Sequence, residues 1–99
     1  MRQVELIPGL KTSVLGFGCA PILGSVGGRQ AEAAIHLALD LGVTHFDVAP
    51  SYGFGEAERW VGKLLERRRD QVVLATKFGL EATLLARFLS PTKPIVRLI

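Results

Sequence analysis

Residues 42–56 encode a short strand and a polar loop, in the order Gly42-Val-Thr-His-Phe-Asp-Val-Ala-Pro-Ser-Tyr-Gly-Phe-Gly-Glu56. The strand is apolar from Val43 and carries an acid, Asp47, at its end. An amphipathic helix pattern lies on each side, because apolar residues recur at the i, i+3, i+4, i+7 and i+8 positions. These residues are Ala31, Ala34, Ile35, Ala38 and Leu39 before the strand, and Ala57, Trp60, Val61, Leu64 and Leu65 after it.

Two further apolar strands flank these helices, at residues 14–19 and 71–76. Near the N-terminus, residues 4–7 and 11–14 surround Pro8-Gly9, a pair typical of the type II turn of a short hairpin. The predicted order is therefore hairpin, β, α, β, α, β. Alternating strands and helices indicate a parallel sheet with helices packed over it.

Composition favours a single folded domain and excludes several classes of protein. The chain has 99 residues, 48% of them hydrophobic, with a mean hydropathy of +0.33, which argues against disorder. The net charge is +3, and the basic residues cluster only at Arg67 to Arg69, which we interpret as the end of a helix. Because no broader basic surface is indicated, we expect no nucleic-acid partner. With no signal peptide, no apolar run near ~18 residues and one cysteine, we expect a cytoplasmic protein outside the membrane.

Asp47, Tyr52 and Lys77 form the candidate site, because each falls at the carboxyl end of a predicted strand or in the loop beyond it. Sites of parallel sheets gather at these ends. An unperturbed tyrosine has a pKa near ~10, so it donates a proton at neutral pH only if its phenolate is stabilised. A lysine ammonium can stabilise it, and an aspartate can keep that lysine charged. From spacing alone, a surface ion pair beside a bystander tyrosine is equally open.

Other conspicuous residues favour structural roles. Gly16-Phe-Gly18-Cys-Ala-Pro21 begins like a dinucleotide-binding fingerprint, but Pro21 replaces the third glycine and no helix begins there. We predict that His45 is a hydrogen-bonded core histidine rather than a catalytic base, and that Cys19 is a buried packing residue rather than a reactive thiol. We expect no metal site.

Four segments resemble the aldo-keto reductases: residues 15–19, residues 42–56, Glu58-Arg-Trp-Val-Gly62, and Val73-Leu-Ala-Thr-Lys-Phe-Gly79. The resemblance implies a (β/α)8 barrel whose bottom is closed by the N-terminal hairpin. Such a barrel has eight strands, of which this sequence provides three. We therefore expect residues 1–99 to form a partial, truncated aldo-keto reductase domain with the hairpin and the first β-α-β-α-β units. The resemblance is strongest over residues 1–79, and residues 80–99 form a divergent tail.

The resemblance also implies an activity and a cofactor. It implies an NADP-dependent oxidoreductase that uses NADPH, or NADH, to reduce a small aldehyde or ketone to an alcohol, or that runs the reverse reaction. Tyr52 would be the general acid, Lys77 would favour its phenolate, and Asp47 would pair with Lys77. Gly18, Cys19 and Asp47 would lie near the nicotinamide end of the cofactor, although Cys19 replaces the threonine common in the family.

Two parts of the family pattern are absent from this sequence, the histidine that ends the fourth strand and the basic segment that holds the 2′-phosphate. The alternatives are therefore a catalytically inactive fragment, or a cofactor-sensing interaction protein of the same superfamily. In the tail, residues 82–88 predict two helical turns. Three strands without further neighbours leave an unpaired edge and an apolar face, so we also predict self-association through the sheet edge.

Overall fold

The computed structural model describes residues 1–79, and the predicted helical turns at 82–88 lie outside them. The strands are β1 (Gln3–Ile7), β2 (Leu10–Ser13), β3 (Gly16–Gly18), β4 (His45–Asp47) and β5 (Val73–Ala75). The α-helices are α1 (Gly28–Asp40), between β3 and β4, and α2 (Ala57–Leu65), between β4 and β5. Short 3-10 segments at Tyr52–Gly55 and Glu66–Gln71 flank α2. This order confirms the predicted hairpin followed by the first β-α-β-α-β units of a barrel.

Two sheets are present in the described residues. β1 and β2 form an antiparallel hairpin, in which Gly9 has a φ of 84°, as the predicted turn requires. β3, β4 and β5 form a parallel sheet in that order. Its register pairs Asp47 with Gly18 on one side and with Ala75 on the other, so the carboxyl ends of the three strands are level.

The core lies between the parallel sheet and the apolar faces of the two helices. Phe46, in the middle of β4, is fully buried, and its ring centroid is 5.8 Å from that of Phe17. The predicted helix stripes are confirmed, because the buried helical residues are Ala31, Ile35 and Ala38 in α1, and Ala57, Val61 and Leu65 in α2. Trp60 is partly buried and packs against this core, as predicted.

We predicted that the arginine cluster forms the end of a helix. Instead, it lies in the 3-10 segment that follows α2. Arg68 has a φ of −121°, which breaks the helical path. The guanidinium of Arg69 donates to the carbonyl of Val72 at 3.3 Å, so it terminates the segment by satisfying a backbone acceptor just before β5. Within residues 1–79 no helix is long and apolar enough to cross a bilayer.

A reciprocal pair of hydrogen bonds ties the hairpin to the amino end of β4. The Ser13 N–H donates to Thr44 Oγ1 at 2.9 Å, and the Thr44 N–H donates to Ser13 Oγ at 2.9 Å. The Ser13 hydroxyl donates in turn to the carbonyl of Leu15 at 2.6 Å. Residues just before β3 and β4 are therefore held by the hairpin, and both strands are shorter than predicted.

Within residues 1–79, β3 and β5 each have one edge that pairs with no other strand. Large apolar side chains are also exposed on the hairpin, among them Leu6 and Ile7. Both features are consistent with self-association through the sheet edge, which stays a prediction.

Ser13→Ala and Thr12→Val should change stability in opposite directions, although the two residues are adjacent and both 3% exposed. Ser13→Ala leaves the Thr44 N–H without its acceptor, so we expect the free energy of unfolding to fall by about 1–3 kcal/mol. Thr12 Oγ1 is buried and has no hydrogen-bond partner in the described part of the chain, so Thr12→Val should be neutral or stabilise by up to ~1 kcal/mol. Urea denaturation followed by circular dichroism measures both, and equal losses in the two variants would contradict the assignment.

Candidate active site

The Lys77 ammonium is the centre of the candidate site. Its Nζ donates to Asp47 Oδ1 at 3.0 Å, to Asp47 Oδ2 at 3.2 Å and to the Val48 carbonyl at 3.2 Å. It also lies 5.0 Å from the centroid of the Tyr52 ring. The structure therefore brings together the three residues that the sequence singled out, Asp47, Tyr52 and Lys77.

The parallel register explains why Lys77 reaches Asp47. Asp47 ends β4 and pairs with Ala75, which ends β5. Lys77 therefore lies two residues beyond the position in β5 that is paired with Asp47. The Val48 N–H donates to the Ala75 carbonyl at 2.8 Å, which extends the pairing past the strands. The long lysine side chain then turns back over the end of the adjacent strand.

A strained turn presents Tyr52 to this centre. Gly53 and Phe54, which follow it, have φ values of 60° and 57°. A Cβ atom on Gly53 would lie 2.7 Å from the Ile22 carbonyl oxygen and 3.0 Å from the Cβ of Leu23, which itself has a φ of 60°. The turn is thus pressed against the loop after β3. Left-handed backbone at non-glycine residues costs energy and persists where the surrounding structure imposes it, commonly at functional sites.

The electrostatics keep Lys77 charged. Its pKa is raised above the ordinary lysine value, first by the hydrogen bond with Asp47; desolvation opposes the shift, and the contact with Tyr52 adds to it. The Lys77 and Asp47 side chains are 38% and 46% exposed, so solvent screens their attraction. The arrangement places a cation beside a tyrosine ring at the open end of a parallel sheet.

Cys19 is buried behind this edge, with no exposed surface. The pKa of its thiol is raised to about 11, first by burial and then by the Asp47 carboxylate, while the Lys77 ammonium acts to lower it. The Cys19 N–H donates to the Asp47 carbonyl at 2.9 Å, and Sγ lies 3.9 Å from the Phe17 carbonyl oxygen. The predicted burial of Cys19 in the core is confirmed.

Gly18 differs from Cys19, because it is exposed and no atom would lie within 4 Å of a Cβ at this position. Gly18 pairs with Asp47 at the open edge and leaves it uncovered, which is compatible with the flat nicotinamide ring that the resemblance implies. The Cys19 thiol does not fit a direct contact with the nicotinamide, since its side chain faces the core.

His45 is partly buried rather than a core residue, which corrects the sequence-based expectation. Its ring packs on the neighbouring strand, where a Cβ at Gly16 would lie 3.3 Å from His45 Cδ2. This close approach gives Gly16 a packing role, in agreement with the structural interpretation of the glycine pair.

Sequence reasoning missed two contacts at the site. One is the Val48 carbonyl, a backbone acceptor that no side-chain pattern reveals. The other is a hydrogen bond from the Thr76 hydroxyl to Glu58 Oε1, which links the residue before Lys77 to the first turn of α2. Glu58 and Thr76 lie in two of the segments that resemble the family, but 18 positions separate them, so the sequence does not show that they are in contact.

Comparisons with known proteins agree on one family. Residues 14–92 match the sequence model of the Aldo/keto reductase family. Aldo-keto reductase YhdN of Bacillus subtilis (strain 168) is 43% identical over 79 residues, which cover 74% of this chain and 24% of that protein. L-galactose dehydrogenase of Arabidopsis thaliana is 42% identical over 90 residues, covering 80% of this chain and 28% of that protein.

A solved structure gives the same result. The holo form of aldo-keto reductase AKR11C1 from Bacillus halodurans superposes with a TM-score of 0.71 at 39% identity, covering 80% of this chain and 26% of that one. The chain spans about a quarter of the length of the curated relatives it matches.

Gly53→Ala should destabilise the chain by about 1–3 kcal/mol, because alanine at a positive φ is strained and its Cβ would meet the Ile22 carbonyl. Gly62→Ala is the matched control. Gly62 lies inside α2 with no atom within 4 Å of a Cβ, so this change should stabilise by roughly 0.5–1 kcal/mol. Thermal or urea unfolding measures the difference, and a Gly53→Ala variant as stable as Gly62→Ala would refute the constraint on the Tyr52 turn.

The Cys19 thiol should titrate near pH 11 in the folded chain and near pH 9 in denaturant. Because the folded state binds the proton more tightly, stability is fully present below pH 9 and is lost as pH rises towards 11, by on the order of 2 kcal/mol. Thiolate absorbance measured with and without urea checks this, with Cys19→Ala subtracted to remove the tyrosine signal. Equal midpoints in the two states would contradict burial of the thiol.

Proposed function

Because the chain belongs to the aldo/keto reductase family, we propose that it provides the acid–base residues for NAD(P)H-dependent reduction of aldehydes or ketones to alcohols, or for the reverse reaction. One observation carries the proposal, the Lys77 ammonium held by the Asp47 carboxylate at 3.0 Å and lying 5.0 Å from the centroid of the Tyr52 ring. The relatives add support, since one of them is named for NADP(+) and another is a dehydrogenase of L-galactose.

Tyr52 is the general acid in this proposal. Its hydroxyl donates a proton to the carbonyl oxygen of the substrate as the carbonyl carbon is reduced, so the product is an alcohol and the residue becomes a phenolate. Solvent then returns the proton to the phenolate. In the oxidative direction, the same phenolate accepts the hydroxyl proton of the alcohol.

Lys77 and Asp47 support that proton transfer. The ammonium lies beside the Tyr52 ring, where its positive charge stabilises the phenolate more than the neutral phenol. Asp47 and the Val48 carbonyl accept hydrogen bonds from the ammonium, which fixes its position and keeps it protonated. The raised pKa of Lys77 agrees with this role.

The cofactor of this proposal is NADPH, with NADH as the other member of the class. Gly18 and Asp47 would lie under its nicotinamide end, and Cys19 would support the edge from below through its backbone N–H bond to Asp47. When bound, the reduced nicotinamide supplies the hydride that the carbonyl carbon accepts. The substrate would be a small carbonyl compound or alcohol, and the free thiol of Cys19 is consistent with a cytoplasmic location.

A chimera tests the catalytic roles without requiring this chain to build a whole barrel. Residues 1–79 replace the matching segment of aldo-keto reductase YhdN, and reduction of an aromatic aldehyde is followed by NADPH consumption. We expect the chimera to be active and Tyr52→Phe within it to lower the turnover rate by ~10²–10⁴, the usual contribution of a general acid. Because the ring is kept, affinity for NADPH should change little, which cofactor fluorescence measures.

Two outcomes would contradict the proposal. Turnover by Tyr52→Phe equal to that of the parent chimera would remove Tyr52 from the acid role. A folded chimera that binds NADPH and reduces no carbonyl compound, while unmodified YhdN does so in the same assay, would favour the inactive-fragment alternative.

A further inference from the structure

Two consecutive residues beyond β5 form hydrogen bonds with different parts of the structure. The Thr76 hydroxyl donates to Glu58 Oε1 on α2, whereas Lys77 donates to Asp47 at the end of β4. The backbone that carries the ammonium is thus attached on one side to a helix and on the other to a strand.

The first turn of α2 contacts both segments of the candidate site. Glu58 binds Thr76, next to Lys77, and Ala57 packs beside Gly53, next to Tyr52, where a Cβ on Gly53 would lie 3.2 Å from the Ala57 Cβ. Ala57 is fully buried, so this turn is fixed by the core. The N-terminus of the helix also favours the Glu58 carboxylate through the macrodipole.

The charge of Glu58 does not account for its connection with Lys77. The groups that raise the pKa of Lys77 are Asp47 and Tyr52, and Glu58 is not one of them. The contact that connects Glu58 with this segment is its hydrogen bond to the Thr76 hydroxyl, one residue before Lys77.

We propose that Glu58 and Thr76 are positioning residues, whose hydrogen bond fixes the backbone after β5 so that the Lys77 ammonium is held between Asp47 and Tyr52. The inference rests on the proposed function only in giving that ammonium a catalytic role. Neither Glu58 nor Thr76 touches the reacting groups in this scheme.

Thr76→Val and Thr76→Ser test this on the 99-residue chain. Valine has the shape of threonine without the hydroxyl, and serine keeps the hydroxyl. With ¹⁵N-labelled lysine, the Lys77 ammonium is titrated by NMR against the signals of Lys11 and Lys63 as internal references. We expect the upward pKa shift of Lys77 to persist in Thr76→Ser and to be lost, by more than half, in Thr76→Val.

Far-UV circular dichroism establishes that each variant is folded. An unchanged Lys77 titration in folded Thr76→Val would overturn the proposal, as would equal loss of the shift in both variants, since the hydroxyl would then not be the cause. If Thr76→Val does not fold, Glu58→Gln and Glu58→Leu replace it. Glutamine keeps an acceptor and should preserve the shift, leucine should remove it, and identical titrations in this pair would overturn the proposal.

The titration requires neither cofactor nor substrate, so its outcome is separate from that of the reductase assay. An unchanged Lys77 titration would refute the positioning role of Glu58 and Thr76 without testing the acid role of Tyr52. Conversely, an inactive chimera would not alter what holds Lys77 in place.

Discussion

Strand β4 pairs with a parallel neighbour on both sides, and this pairing determines the geometry of everything at the carboxyl edge. Phe46 anchors the strand because it is fully buried, and the register then sets Asp47 level with Gly18 and with Ala75. A slip of one residue would turn Phe46 away from the core and carry Asp47 to the opposite face of the sheet. Core packing and site geometry therefore depend on the same register.

Element types and their order could be predicted from the sequence because each carried a strong local signal. The apolar stripes of α1 and α2 have the period of a helix, and Pro8-Gly9 has the conformational preferences of the turn that it forms. Strand lengths could not be predicted in this way. Ser13 and Thr44 are 31 positions apart, and their hydrogen bonds to each other hold the residues that precede β3 and β4. The hydrophobicity pattern does not reveal such a contact, so it overestimates the length of these strands.

The candidate site also has features that the sequence predicts and features that it does not. Asp47, Tyr52 and Lys77 could be singled out because parallel topology sends the ends of strands to one edge, and the structure places them together. The turn after Tyr52 could not be predicted, because Phe54 adopts a positive φ that its own preferences oppose. The hydrogen bond between Thr76 and Glu58 could not be predicted either, because no sequence pattern distinguishes these two residues from other polar residues.

Exposure of the central ion pair explains why these additional contacts matter. Lys77 and Asp47 are each more than one-third exposed, so water screens their attraction, and charge alone would leave a long lysine side chain free to sample many rotamers. Directional hydrogen bonds to Asp47 and to the Val48 carbonyl restrict those rotamers, but only if the backbone at Lys77 is itself fixed. The Ala75 carbonyl fixes one side of that backbone through Val48, and the Thr76 hydroxyl provides the next attachment through α2. Precision in the position of an exposed cation thus comes from the buried elements on which its backbone is mounted.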